Sequence, residues 1–210
     1  MEKYYLIGEI HGTKECPKAF FDIIKKEKIK QVALEFDKIY QNEIENFYEN
    51  KICINKISFF NQIKKSHDGR ASSAIKLLLI KLRANNISVT LVDDWSFDGK
   101  FRDKSIAQNL KQISGKIGFL CGNVHAMKTI FRTNTGTIKP VGFLLPKNKV
   151  VSYNIVALKE GNFYNFRIKK YKKNSKLFHL FKNHQLPLLI KSNSISYDYD
   201  YIVNKFTWSK

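Results

Sequence analysis

Two histidines of this 210-residue chain lie in glycine-bearing segments that follow apolar runs, and one of them has a glutamate two residues before it. His11 lies in Gly8-Glu9-Ile10-His11-Gly12, where the i, i+2 spacing of an extended segment puts the Glu9 and His11 side chains on one side. His125 lies in Gly122-Asn123-Val124-His125-Ala126, where Gly122 and Asn123 permit a sharp exit from the preceding apolar run. A neutral imidazole next to a carboxylate can take a proton from water while a second histidine or an arginine steadies the developing oxyanion. On that reading His11 is the base, Glu9 or Glu35 orients it, and His125 and Arg102 stabilise charge. Glu9, His11, Glu35 and His125 also supply nitrogen and oxygen ligands suited to zinc, manganese, iron or cobalt. No HExxH or HxH spacing selects the metal, so both chemistries stay open, with acid–base work without a metal ranked first. Arg70, in His67-Asp68-Gly69-Arg70, is expected near a helix start, as an anion clamp or as a surface or capping residue. Asp94 and Asn123 are further candidates for holding substrate.

Those residues are positioned by a regular alternation of elements. Tyr4–Gly8, Gln31–Phe36, Ser88–Val92 and Ile117–Cys121 are short apolar runs with the character of strands buried on both faces. Between them, Pro17, Phe20, Phe21 and Ile24 recur at helical spacing. Residues 39–48 and 57–64 are amphipathic, Ala71–Ala84 is strongly apolar at helical spacing, and Ile106, Leu110 and Ile113 mark a helix opening near Arg102-Asp103. The turn-like stretch 66–70, with His67 as a loop residue, separates two of these. Alternating strands and helices predict an α/β fold with a mainly parallel β-sheet covered by helices on both faces. Ligands of such sheets bind at the carboxyl ends of the strands, where Glu9, Glu35, Asp93, Asp94 and, through the GNVHA loop, His125 all fall.

Past Pro140 the pattern becomes β-rich. Val150–Leu158 and Phe163–Ile168 flank a turn at Glu160-Gly161-Asn162 and are expected to add a C-terminal hairpin to the sheet. Residues 170–192 read as basic and irregular. Tyr197–Val203 reads as a last strand, its tyrosines on one face and its aspartates on a solvated edge. No linker or repeat divides the chain, so residues 1–210 are expected to form one domain: a motif-bearing core over 3–130 and a β-rich basic extension over 139–210.

Composition narrows the function. With 43% hydrophobic and 26% charged residues the chain is neither disordered nor fibrous, and no apolar run reaches the roughly 18 residues a membrane span needs. The N-terminus lacks the pattern of a cleaved signal, which makes a cytoplasmic location the expectation. Cys16, Cys53 and Cys121 are too widely spaced for a zinc site and odd in number, so reduced thiols are expected. The formal charge is +19, and the stretch from Lys104 to Tyr197 carries 17 Lys and Arg against one acid, Glu160. Yet five of the 37 basic residues are Arg, and the planar guanidinium is what base readers and phosphate clamps favour, so specific nucleic-acid binding is not expected. The expected partner is a small-molecule or peptide substrate with a preference for anionic character. His179 and His184, with no acids nearby, are expected on the surface.

The ordered set GEIHGT, QVALEF, FRDKSIAQNL and FLCGNVHA, spanning residues 3 to about 130, resembles the pattern shared by the erythromycin-esterase, ChaN and Tiki/TraB group. The resemblance implies an α/β fold with a polar cleft in which Glu9, His11, Glu35 and His125 match the group's functional positions and Arg102 is a weaker match. Members of the group include esterases that open a macrolide lactone, metal-dependent peptidases and a haem-binding lipoprotein. The chain lacks the long helical insertions that form a macrolide pocket. The expected function is therefore a hydrolase that activates water against an ester, lactone or amide. A haem or small-ligand binding protein is the alternative, and a basic anion- or nucleic-acid-binding module the third reading.

Overall fold

The computed structural model describes residues 2–62, 68–96, 99–134 and 136–209. Strand β1 (Lys3–Glu9) leads to α1 (Glu15–Lys26), β2 (Gln31–Asp37), α2 (Gln41–Tyr48), the short α3 (Phe59–Gln62), α4 (Ser73–Ala84), β3 (Ser88–Asp93), α5 (Gly99–Lys111) and β4 (Lys116–Gly122). There follow β5 (Phe131–Thr133), β6 (Gly136–Ile138), α6 (Val141–Leu144), β7 (Val150–Ala157), β8 (Gly161–Asn165), β9 (Arg167–Tyr171), α7 (Ser175–Phe181), β10 (Leu188–Lys191) and β11 (Tyr199–Val203). No helix among the described residues is long and apolar enough to cross a membrane.

Seven strands form one sheet in the order β10-β11-β7-β1-β4-β2-β3, parallel throughout except at the β10 edge. Alternation along each strand feeds two cores. Tyr5 and Ile7 of β1 pack in one with Phe20 and Ile24 of α1 and Leu78 and Leu82 of α4, while Tyr4 and Leu6 pack in the other with Ile106 and Leu110 of α5 and Val141 of α6. Helices thus cover both faces of the sheet, as the apolar strand runs demanded. Cys16 and Cys121 are buried and Cys53 exposed, all three as free thiols.

The C-terminal half departs from its sequence pattern. The expected hairpin around Glu160-Gly161-Asn162 does not form, because Val150–Ala157 already has β1 on one side and β11 on the other and offers no edge to a third strand. The hairpin is instead β8 with β9, a separate two-stranded unit that turns at Phe166, which adopts a positive φ of 59°. The stretch 170–192 is more ordered than its composition suggested: it holds the end of β9, all of α7 and the edge strand β10. Tyr199 and Tyr201 share one core, but Tyr197, outside β11, packs against the other. Asp198 and Asp200 are not a solvated edge. The first binds Lys128 at 2.8 Å and the Ser152 amide at 2.8 Å, and the second accepts from Ser192 Oγ at 2.9 Å. The α5 helix starts at Gly99, so Arg102 and Asp103 lie within its first turn and a half. His67 lies outside the described residues.

Helix α1 sits so close to β4 that a Cβ added at Gly118 would lie 2.8 Å from Ile24 Cγ2, inside a fully buried layer. Gly118→Ala is therefore expected to cost about 1–3 kcal/mol by overpacking, read from urea unfolding, and the same substitution should cost less in an Ile24→Ala background, which lacks the Cγ2 atom.

Candidate functional site

The chain runs from β1 towards β2 on one side of the sheet, and from β4 over β1 to β7 on the other. The loops after β1 and β4 therefore part in opposite directions and leave a crevice between two neighbouring carboxyl ends. In register Glu9 pairs with Gly122, which brings GEIHG and GNVHA together. The Asn123 amide donates to the Glu9 carbonyl at 3.0 Å, and the His125 amide closes a turn onto the Gly122 carbonyl at 2.9 Å. A Cβ on Gly122 would stand 3.1 Å from His11 Nε2 and 3.3 Å from His125 Cδ2. Glycine at that position is what lets the two rings approach over the end of β4. Glu9, His11, Asn123 and His125 line a cleft of about 360 Å³, with Phe163 and Asn165 of β8 forming another wall.

Each imidazole is held from behind by an acid. His11 Nδ1 lies 2.8 Å from Glu9 Oε1, and His125 Nδ1 lies 2.7 Å from Asp103 Oδ1, which also accepts the Val141 amide at 3.0 Å. A carboxylate accepts hydrogen bonds and does not donate them, so both rings carry a proton on Nδ1. Their Nε2 atoms turn towards Glu35, at 4.0 Å for His11 and 3.5 Å for His125.

Glu35 is buried, 3% exposed, yet fully bonded. Its Oε1 receives Arg70 Nη1 at 3.1 Å and Arg102 Nη2 at 2.5 Å, and its Oε2 receives the Gly122 amide at 2.7 Å. Burial pushes its pKa up, but the charges of His125, Arg70, His11 and Arg102 outweigh burial and hold the carboxyl well below the usual range. For His125 burial opposes the charged form, and attraction to Glu35 with the bond to Asp103 overcomes it, so the imidazolium persists above the ordinary value.

The structure thus brings Glu9, His11, Glu35, His125, Arg102 and Arg70 into one cluster, with Asn123 on the cleft wall. Arg70 reaches it while also bonding Asp68 through Nε at 2.6 Å, so its guanidinium is shared among acids. Asp94 stands apart. It bonds Lys38 at 2.9 Å and the Ser96 amide at 3.1 Å on the outer rim, while its neighbour Asp93 points inward, has no exposure, and binds Arg102, Arg70 and Trp95 Nε1. Neighbours in an extended chain face opposite ways, so one of the Asp93-Asp94 pair had to face outward, and the burial of β3 decides which. Asp103 and Asp68 are the cluster members that pattern reading left out, and Asp93, which it placed at the strand ends, is the member of its pair that enters the cluster in place of Asp94. Asp103 was visible beside Arg102 in the first turns of an amphipathic helix, but its partner was not.

This donor set does not fit a divalent cation. Among the described residues no three His, Cys, Asp or Glu side chains are arranged to hold one. Two guanidinium groups also occupy Glu35 Oε1, the oxygen nearest His125 Nε2, where a further positive charge would be repelled.

No protein-family model matches this sequence, and no curated protein matches it. Similarity is found at the level of fold. A Bacillus cereus protein superposes with a TM-score of 0.66 at 10% identity, covering 99% of this chain and 90% of its own. An erythromycin esterase mutant in its open conformation superposes at 0.67 and 9% identity over 100% of this chain and 92% of its own, and a type III effector at 0.52 and 11% over 96% and 88%. The chain has the α/β fold of these proteins.

Removing one member of a buried ion network strands the others. Asp93→Ala is expected to cost about 3–5 kcal/mol in chemical denaturation, whereas Asp94→Ala, on the outer rim, should leave the unfolding midpoint nearly unchanged. The pKa shifts set the pH dependence of stability. The depressed Glu35 contributes stability that is present above its ordinary value of 4.5 and lost as pH falls through the folded value. The raised His125 contributes stability that is present below 6.5 and lost as pH rises through its folded value. Tm should therefore decline on the alkaline side of 6.5, and His125→Gln should flatten that decline in calorimetry across pH 6–9; an identical alkaline limb in both proteins would contradict the assignment.

Proposed function

We propose that this protein is a hydrolase that activates water without a metal ion, with an ester, lactone or amide as substrate. The observation that carries the reading is the pair of histidine–carboxylate couples, His11 with Glu9 and His125 with Asp103, both turned towards Glu35 beside a cleft at a strand switch point. The fold shared with an erythromycin esterase accords with it, although at 9% identity the likeness concerns the fold.

In its neutral form His11 keeps its proton on Nδ1 against Glu9, which leaves the Nε2 lone pair free to accept one. The 4.0 Å between His11 Nε2 and Glu35 Oε2 is too long for a direct bond and suits a water held between them. As that water attacks the carbonyl carbon, its proton passes to His11 Nε2 and the Glu9 carboxylate steadies the imidazolium that results. The carbonyl oxygen becomes an oxyanion beside His125, whose raised pKa keeps an N–H available to stabilise it. Collapse of the tetrahedral intermediate breaks the bond to the alcohol or amine, and the departing group takes the proton back from His11. Arg102 and Arg70 hold Glu35 ionised and in place, so they act through Glu35 as positioning residues.

A panel of chromogenic esters tests this. His11→Ala should lower kcat/KM by about 10²–10⁴-fold, and Glu9→Gln, which keeps the shape and loses the charge, should lower kcat while leaving Tm within a few degrees. The wild-type rate should fall as pH rises through the raised pKa of His125, and His125→Gln should abolish that alkaline limb along with most of the rate. Turnover in His11→Ala equal to wild type would sink the proposal.

A further inference from the structure

We infer that Arg167 and Lys169 form an anion subsite beside the cleft, so that the group transferred to water belongs to a substrate carrying a carboxylate or phosphate near the bond that breaks. This rests on the hydrolytic reading for its chemistry, but the binding site stands on geometry of its own.

The hairpin places those cations by register. Phe163 pairs with Lys169 and Asn165 with Arg167 across β8 and β9, and residues directly opposite in an antiparallel pair project from the same face. Phe163 and Asn165 are the hairpin residues that line the cleft with Glu9, His11 and His125. Arg167 and Lys169 therefore stand on the cleft-lining face. Arg167 is exposed and Lys169 half-buried, and neither has an ion-pair partner among the described residues, unlike Arg70, Arg102, Lys38 and Lys128.

The hairpin is also fixed against the site. Tyr164 backbone atoms lie so near the loops that a Cβ on Gly12 would come within 2.6 Å of the Tyr164 carbonyl, and one on Gly69 within 2.5 Å. Gly12 follows His11 and Gly69 precedes Arg70, so the hairpin rests on the loop that carries His11 and on the segment that carries Arg70. At its base Tyr171 meets Phe206 edge-on at 4.7 Å. A wall anchored in this way holds its cations at a set place relative to His11.

The chemistry follows from charge balance. Inside the cluster Glu35, Asp93 and Asp103 are already matched by arginine and histidine, which leaves little to attract an anion there. The unpaired cations lie one layer out, on the wall, within a stretch where 17 basic residues face one acid. A guanidinium with an ammonium on one strand face suits an oxyanion, by a paired N–H fork and a point charge. A substrate whose anionic tail lies on the hairpin would present its neutral carbonyl to His11 and His125.

The test pairs 4-nitrophenyl acetate with mono-4-nitrophenyl succinate, and adds calorimetric titration with succinate and with inorganic phosphate. Wild type should favour the anionic ester in kcat/KM by about tenfold or more, and Arg167→Ala/Lys169→Ala should remove that preference and weaken anion binding by about tenfold or more. Lys182→Ala/Lys191→Ala, which removes the same charge elsewhere, should keep both. The titrations separate carboxylate from phosphate as the preferred group. A preference or affinity that survives in Arg167→Ala/Lys169→Ala, or falls equally in the distal variant, would overturn the subsite. Anion binding that depends on Arg167 and Lys169 in a protein with no ester turnover would overturn the hydrolytic reading and leave the subsite standing.

Discussion

A carboxylate removed from water loses solvation worth several kcal/mol unless its neighbours replace it, and Glu35 is almost fully removed. What replaces water around it comes from four separate parts of the chain: Arg70 ahead of α4, Arg102 on α5, the Gly122 amide at the end of β4, and the two imidazoles from the loops after β1 and β4. None of these contacts is local in sequence. The fold has to be complete before Glu35 is satisfied, and once it is, each group that satisfies Glu35 is fixed in turn. The geometry of the histidines is thus a consequence of solvating one buried charge.

The same constraint explains where the acids are. The chain holds 18 Asp and Glu, and Glu9, Glu35, Asp68, Asp93 and Asp103 all belong to this cluster, although the protein as a whole is strongly basic. Each is paired with an arginine or a histidine. Pairing of that kind keeps the low-dielectric interior from rejecting the charges, and it leaves Nε2 of His11 and of His125 as the groups without a strong fixed partner. Reactive capacity lies where the network is least complete.

How much of this the sequence disclosed follows from which interactions are periodic. The parallel strands and covering helices were legible because burial on both faces forces continuous apolar runs, and Tyr4 to Ile7 or Ile117 to Cys121 can be little else. The strand-end rule then pointed to Glu9, His11, Glu35 and His125 as a group. Pattern could not decide between Asp93 and Asp94, since both end the same strand and the burial of β3 selects the first. Nor could it find Asp103 as the partner of His125, 22 residues away, because that pairing depends on how α5 lies against β4. The misplaced hairpin has the same origin. Val150–Ala157 and Gly161–Asn165 have the composition of paired strands, but pairing depends on free edges, and both edges of β7 are taken by strands distant in sequence, one of them nearly 50 residues later.

That displacement has a functional consequence. Had β8 joined the sheet beside β7, its side chains would have faced helices on either side; released from the sheet, the β8–β9 unit folds back onto the loops carrying His11 and Arg70 and becomes a wall of the cleft. The sheet supplies a buried and mutually bonded centre, and the hairpin supplies an outer surface on which Arg167 and Lys169 have no ion-pair partner among the described residues. A buried carboxylate held by two guanidinium groups and a backbone amide can change little without unfolding the centre, whereas exposed positions on a two-stranded ribbon can change at small cost in stability. The chemistry proposed for the strand ends and the selectivity proposed for the hairpin are therefore separable physically, because the burial that fixes the first group is absent from the second.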